Sequence, residues 1–192
     1  PVVKTPEGEL LQDGTDIIDA LEERHNRNER LGLTLAPAGI VGVISSLFEL
    51  FGPEGLLRPA MHYRWNFDDS NLAFLHAAFE DVMPSGMNAE EREATFLKSS
   101  ARMRKAAQLF GVAPHSIETI ERSYETFLAL LEHHLSATPF LLGAYPTLAD
   151  YALLGPLYAH LGRDPYPAAL MKRVAPHVYR WTERMNAPET IE

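Results

Sequence analysis

Residues Gly143-Ala144-Tyr145-Pro146-Thr147-Leu148-Ala149-Asp150 lead into Tyr151-Ala152-Leu153-Leu154-Gly155-Pro156-Leu157-Tyr158-Ala159-His160-Leu161. Thr147 and Asp150 have the spacing of a helix capping box. The Thr hydroxyl can accept from the amide at Asp150, and the Asp carboxylate can reach back to the amide of Thr147. From Leu148 to Leu161 almost every residue is apolar or small. A helix apolar on all sides is buried on all sides. This stretch therefore predicts the central helix of a helical bundle. A buried helix start is out of reach of water, so its free amides need a cap supplied by the chain itself. Gly155-Pro156 predicts a kink, because Pro156 removes a backbone donor.

The rest of the composition sets bounds. The chain has 192 residues, 46% of them hydrophobic, enough for a sizeable core. Its formal net charge of −9 argues against a nucleic-acid partner, which needs clustered Lys and Arg. The absence of Cys removes disulfides, thiolate metal sites and a cysteine nucleophile. Eight His are present, but none shows His-x-x-x-His or His-Glu-x-x-His spacing, so no metal site is expected. The first ten residues lack the apolar core of a signal peptide. The longest mostly apolar stretch, Ala38 to Phe51, is interrupted by Ser45, Ser46 and Glu49 and falls short of the roughly 20 residues of a membrane span. These features predict a soluble, cytoplasmic protein with no membrane partner.

Pro1 to Thr5 and Glu9 to Gln12 are short β-like runs separated by the turn residues Pro6-Glu7-Gly8, which predicts a hairpin. Asp13 caps a helix to about His25, with Ile17, Ile18 and Leu21 on its buried face. Asn26 to Leu33 is polar and reads as a linker. Pro37 restarts the chain, and helices are expected from there on. One runs from Ala38 to Phe51 and ends at Gly52-Pro53-Glu54-Gly55. A second covers Asn71 to Val82, and Asp68-Asp69 before it reads as a solvated turn. A third opens on the capping box Asn88/Glu91 and stops at Gly111. Ile117, Ile120, Tyr124, Phe127, Leu128, Leu131 and Leu135 then follow the helical period most clearly. After Leu161 a turn around Pro165 and Pro167 leads to a final helix with Val178, Trp181 and Met185. The expected domains are 1–26, a linker at 27–36, and an all-α domain at 37–192.

The apolar-Leu-Leu-Gly-x-x-Pro turn (Phe140 to Pro146) followed by the capping box resembles the C-terminal domain of glutathione transferases. Pro1 to Glu22 looks like the last part of their thioredoxin-like N-terminal domain. The Met61-His-Tyr-Arg-Trp65 and Gly155-Pro-Leu-Tyr-Ala-His-Leu161 segments look like a bacterial branch of the same family. The resemblance implies a mostly α fold: a glutathione-transferase helical bundle preceded by the final β-hairpin and helix of a thioredoxin-like domain. It also implies glutathione as co-substrate, a small apolar electrophile as second substrate, and a homodimer.

Carried onto this chain, the resemblance implies that Gln12, Asp13, Gly14 and Thr15 hold the glutamyl end of glutathione. Asp13-Gly14 stands where the family has an acidic-Ser pair, so the Ser hydroxyl is missing and only its amide remains, with the Thr15 hydroxyl as neighbour. Asp13 would pair with the glutamyl ammonium, and a helix N-terminus favours the carboxylate. Asp16 competes for that same positive end. The apolar second pocket would involve Ser45, Phe48, Tyr63 and Trp65. Pro1 falls at the family's cis-proline, so the β-α-β unit with the Tyr, Ser or Cys that activates the thiol is expected to precede this chain. Thr147 and Asp150 are expected to be a structural cap. The alternative is a non-catalytic binding module on the same fold.

Overall fold

The computed structural model describes residues 1–24 and 38–187. The expected linker at 27–36 and the end of the first helix at His25 lie outside the described residues.

Strands β1 (Val2–Lys4) and β2 (Leu10–Gln12) pair antiparallel with Val3 opposite Leu11. Between them Gly8 takes φ +91°, a conformation that costs glycine little. Helix α1 (Gly14–Arg24) follows and buries Ile17. Arg24 reaches back to Glu9 at 2.7 Å and to Glu7 at 3.4 Å, tying the helix end to the hairpin.

Eight further α-helices follow among the described residues: α2 (Gly39–Leu50), α3 (Leu57–Trp65), α4 (Asp68–Glu80), α5 (Ala89–Leu109), α6 (Ile117–Ala137), α7 (Leu148–Pro156), α8 (Pro165–Val174) and α9 (Pro176–Asn186). The core is built from Leu56 and Tyr63, from Tyr124, Leu128 and Leu131 on α6, from Leu153, Leu157 and Leu161, and from Met171, Val178 and Trp181. Each such fully buried side chain contributes about 1.5–3 kcal/mol. Helix α6 behaves as its spacing predicts, with Ile120, Tyr124, Leu128, Leu131 and Leu135 all buried. The Asn88/Glu91 capping box opens α5, and Gly111 at φ +91° stops it.

Several expectations are corrected, and proline explains most of them. Gly52-Pro53-Glu54-Gly55 does not end the helix from Ala38. The chain passes through a wide π-helical turn (Phe51–Gly55) into α3, where the Leu56 amide bonds Phe51 O at 3.2 Å. Pro53 deletes one donor, and a wider turn absorbs that loss without breaking the path. Pro156 acts the same way: α7 runs into a second wide turn (Leu157–Leu161). Pro165 and Pro167 begin α8 instead of marking a turn, because the first helical turn has no use for the amides they lack. Asp68-Asp69 is the first turn of α4, with Asp68 paired to Arg104 at 2.7 Å.

The expectation that Leu148–Leu161 is buried all round is also corrected. Leu148, Ala149, Leu153, Leu157 and Leu161 are buried, but Tyr151, Gly155 and Ala159 are exposed. These three are spaced by four, so they share the one face that the bundle leaves uncovered.

The first wide turn makes a close approach to α7. Pro156 has no N–H for the carbonyl four residues back, Ala152 O. A Cβ at Gly52 would lie 2.3 Å from that oxygen and 2.7 Å from its carbon. Only glycine lets the two backbones meet there. Gly52→Ala is expected to cost about 3 kcal/mol, since backbone on both sides must shift. A chemical denaturation curve measures this, and an unchanged midpoint would contradict the contact.

Together the first of these turns and its flanking helices form one path, Gly39–Trp65, of 27 residues, with an 18-residue window of mean hydropathy 1.5 that is 17% buried. By length and composition it is long and apolar enough to cross a membrane, unlike the shorter stretch considered from sequence. Its sequence also carries Glu49, Glu54, Arg58 and Arg64, and α2 packs along α7.

Candidate functional site

At the end of β2 the chain turns sharply. Asp13 has φ +81°, the only non-glycine positive φ among the described residues. Such a conformation costs energy in an L-residue and persists where the surroundings enforce it. Its carboxylate accepts the Thr15 amide at 3.0 Å, and its carbonyl accepts the Ile17 amide at 3.2 Å. The amides of Gly14 and Asp16 have no partner among the described residues. They point along the start of an 11-residue helix, where the backbone presents partial positive charge. A Cβ placed on Gly14 would meet nothing within 4 Å. The structure thus brings Gln12, Asp13, Gly14 and Thr15 together at one strand-to-helix corner, largely exposed. This corner can hold a carboxylate on backbone donors and an ammonium on Asp13.

The four residues read as a second pocket are not gathered in one place. Ser45 is buried on α2 and donates to Glu49 Oε1 at 3.3 Å. Phe48, on the same helix, packs partly buried against the main core. Tyr63 lies inside that core, its ring stacked near Phe67 and tilted against Tyr124. Burial, with Glu121 and Glu125 nearby, pushes the Tyr63 phenol well above its ordinary value, so it stays a neutral donor. Trp65 belongs to a separate cluster with Leu75 and Phe96 and is capped by the Arg104 guanidinium, 5.1 Å from its ring. It lines two surface cavities of about 440 and 340 Å³ on either side of Asn66.

Around this core lie polar groups that sequence reasoning missed. Arg64 Nε and Nη2 hold both oxygens of Asp164 at 2.7 and 2.8 Å, and Asp164 is fully buried. His62 Nδ1 faces Asn66 Nδ2 at 2.7 Å, which places the ring hydrogen on Nε2, donating to Glu121 at 2.8 Å. His160 Nδ1 is buried without a partner among the described residues. Burial first, and then the charge of Arg64, hold the His160 imidazole below its ordinary value of 6.5, against an opposing pull from Asp164. The unfolded chain therefore binds this proton more readily. Stability from His160 is present above pH 6.5 and is lost as pH falls below it, through the lower folded value. Urea titrations at about pH 7.5 and about pH 5.5 should show this loss, and His160→Asn should flatten it. An identical slope in wild type and variant would contradict the assignment.

The capping box at α7 is the best-defined polar site. Thr147 and Asp150 form it at the helix start, and both are buried. Asp150 Oδ2 accepts the Thr147 amide at 2.9 Å and its hydroxyl at 3.0 Å. Oδ1 accepts the Leu141 amide at 3.0 Å, which pins the preceding loop to the helix start.

A helical bundle whose interior helix is sealed by its own Thr-x-x-Asp box, preceded by a strand-to-helix corner with free amides, defines the architectural class that the sequence resembles. Residues 114–189 match the family model described as Glutathione S-transferase, C-terminal domain. This part of the chain, from Pro114 through α6 to α9, is a glutathione-transferase-type C-terminal domain. No curated protein matches the chain.

Proposed function

We propose that the protein binds glutathione at the Gln12–Thr15 corner and, in its complete form as a glutathione transferase, joins its sulfur to a small apolar electrophile. The observation that carries the reading is Asp13: a non-glycine residue in the left-handed region, placed before unpartnered helix amides. The glutamyl carboxylate would lie on the Gly14 amide and the Thr15 hydroxyl, its ammonium on Asp13, with Gln12 beside them. The electrophile would meet the α2–α3 face, with Ser45, Phe48, Tyr63 and Trp65 as the residues assigned to it. Of these, Phe48 is partly exposed, and Trp65, though buried, borders two surface cavities. A homodimer belongs to the same reading. The outer face of α2 suits it, because it exposes Ile40, Val43, Leu47 and Leu50 as one apolar stripe. A cytoplasmic location and the absence of any metal are also part of it. A non-catalytic module would share the corner but not the chemistry.

The test is thermal. Glutathione at about tenfold above its Kd adds about 1.4 kcal/mol, a rise of about 3–5 °C in Tm for a chain of this size. Gly14→Ser restores a hydroxyl into open space and should tighten binding about threefold or more. No rise in Tm for either protein, with no retention on immobilised glutathione, would refute the reading. Turnover of an electrophile such as 1-chloro-2,4-dinitrobenzene, measured on the complete form, separates the transferase from the binding module: retention there without turnover favours the module.

A further inference from the structure

Helices α8 and α9 fold back on each other with a gap between them. Pro165, Ala168, Ala169 and Lys172 fall at i, i+3, i+4 and i+7, so they share one face of α8. Tyr179, Thr182, Glu183 and Asn186 repeat that spacing on α9. Where two such faces meet, large side chains normally close the space. Here the middle of the α8 face is Ala168-Ala169, and a groove of about 580 Å³ remains, walled at one end by Tyr158. That volume lies in the range of small-molecule sites.

Several lining groups are already held in place. The Tyr158 hydroxyl accepts Asn186 Nδ2 at 2.7 Å. Lys172 Nζ sits 4.5 Å from the centre of the Tyr179 ring. Thr182 is buried and donates to Tyr179 O at 2.7 Å, which leaves its oxygen free to accept. Three charges face the same groove: Arg163, Lys172 and Glu183. None of them forms an ion pair among the described residues, although Arg104 and Arg122 pair with neighbouring carboxylates elsewhere on the surface. A groove that holds opposite charges apart complements a molecule carrying both signs.

We propose that this groove is a binding site for an amino-acid-type zwitterion with an aromatic body. Its carboxylate lies on Arg163 and Lys172, its ammonium on Glu183, and its ring against Tyr158 and Tyr179 over the two alanines. The site shares no residue with the Gln12–Thr15 corner, so it stands or falls separately from the glutathione reading.

The probes are L-phenylalanine, 3-phenylpropanoate, which lacks the ammonium, and phenethylamine, which lacks the carboxylate. Each is titrated to about 10 mM while backbone amide resonances are followed. L-Phenylalanine should shift the amides of Arg163, Lys172, Thr182 and Glu183, and each half-molecule should bind at least about fivefold more weakly. Glu183→Gln should make phenylalanine and 3-phenylpropanoate equal. Ala169→Leu, which fills the groove at an exposed position and removes no charge, should abolish binding while the spectrum stays dispersed. Absence of shifts, 3-phenylpropanoate binding as tightly as phenylalanine, or binding unchanged in Ala169→Leu would each overturn the proposal.

Discussion

Asp150→Ala is expected to lower the stability of the protein by about 3–5 kcal/mol. A generic helix cap is worth about 0.5–2 kcal/mol, because water replaces the lost partner. Water cannot do so here. Asp150 and Thr147 are buried, and the carboxylate accepts the Thr147 amide, the Thr147 hydroxyl and the Leu141 amide at once. Alanine leaves three buried donors facing a small void. Asp150→Asn keeps the shape but offers one acceptor in place of two charged oxygens, so its loss should be about half as large. Thr147→Val should cost less than Asp150→Ala, since the amide–carboxylate bond survives. Equilibrium unfolding in urea measures the series. A loss below about 1 kcal/mol for Asp150→Ala would show that the start of α7 is open to solvent.

The second large effect is expected at Arg64. Arg64→Met leaves the Asp164 carboxylate fully buried without its counter-charge, at a cost of about 3–5 kcal/mol. The guanidinium is mostly enclosed, with 20% of its side-chain surface exposed, so screening by water softens the pair only in part. Asp164 precedes α8, yet its carboxylate caps no amide there: both oxygens are taken by Arg64. Removing both charges in Arg64→Met with Asp164→Leu should therefore recover most of the loss. The measurement is a double-mutant cycle in urea. If the double variant is no more stable than Arg64→Met alone, the desolvated carboxylate is not the source of the cost.

What the sequence disclosed and what it hid follow from the range of the interactions. The boxes at Asn88/Glu91 and Thr147/Asp150 are legible because their partners are three residues apart. The α6 core face is legible because burial repeats with the helix period. The same reasoning fails at Pro53 and Pro165, where a breaker reads as a break. A proline removes one donor, and a wide turn or a helix start has room for that loss. It also fails on the far side of α7, and α2 shows why. Ile40, Val43 and Leu47 are apolar and exposed, and apolarity alone does not tell a residue what lies opposite it. Arg64 and Asp164 stand 100 residues apart, so no local pattern announces their pairing. The Gln12–Thr15 corner is legible only through family resemblance. Its strained Asp13 backbone had no signature in the sequence, where aspartate before glycine reads equally well as an ordinary cap.

The most direct test of the functional account is a calorimetric titration of glutathione into the protein and into Asp13→Ala. The account predicts saturable one-site binding to the wild type, weakened at least about tenfold in the variant, because the ammonium loses its carboxylate while the helix amides remain. Equal affinity for both proteins, or no heat of binding to either up to about 10 mM glutathione, would contradict it.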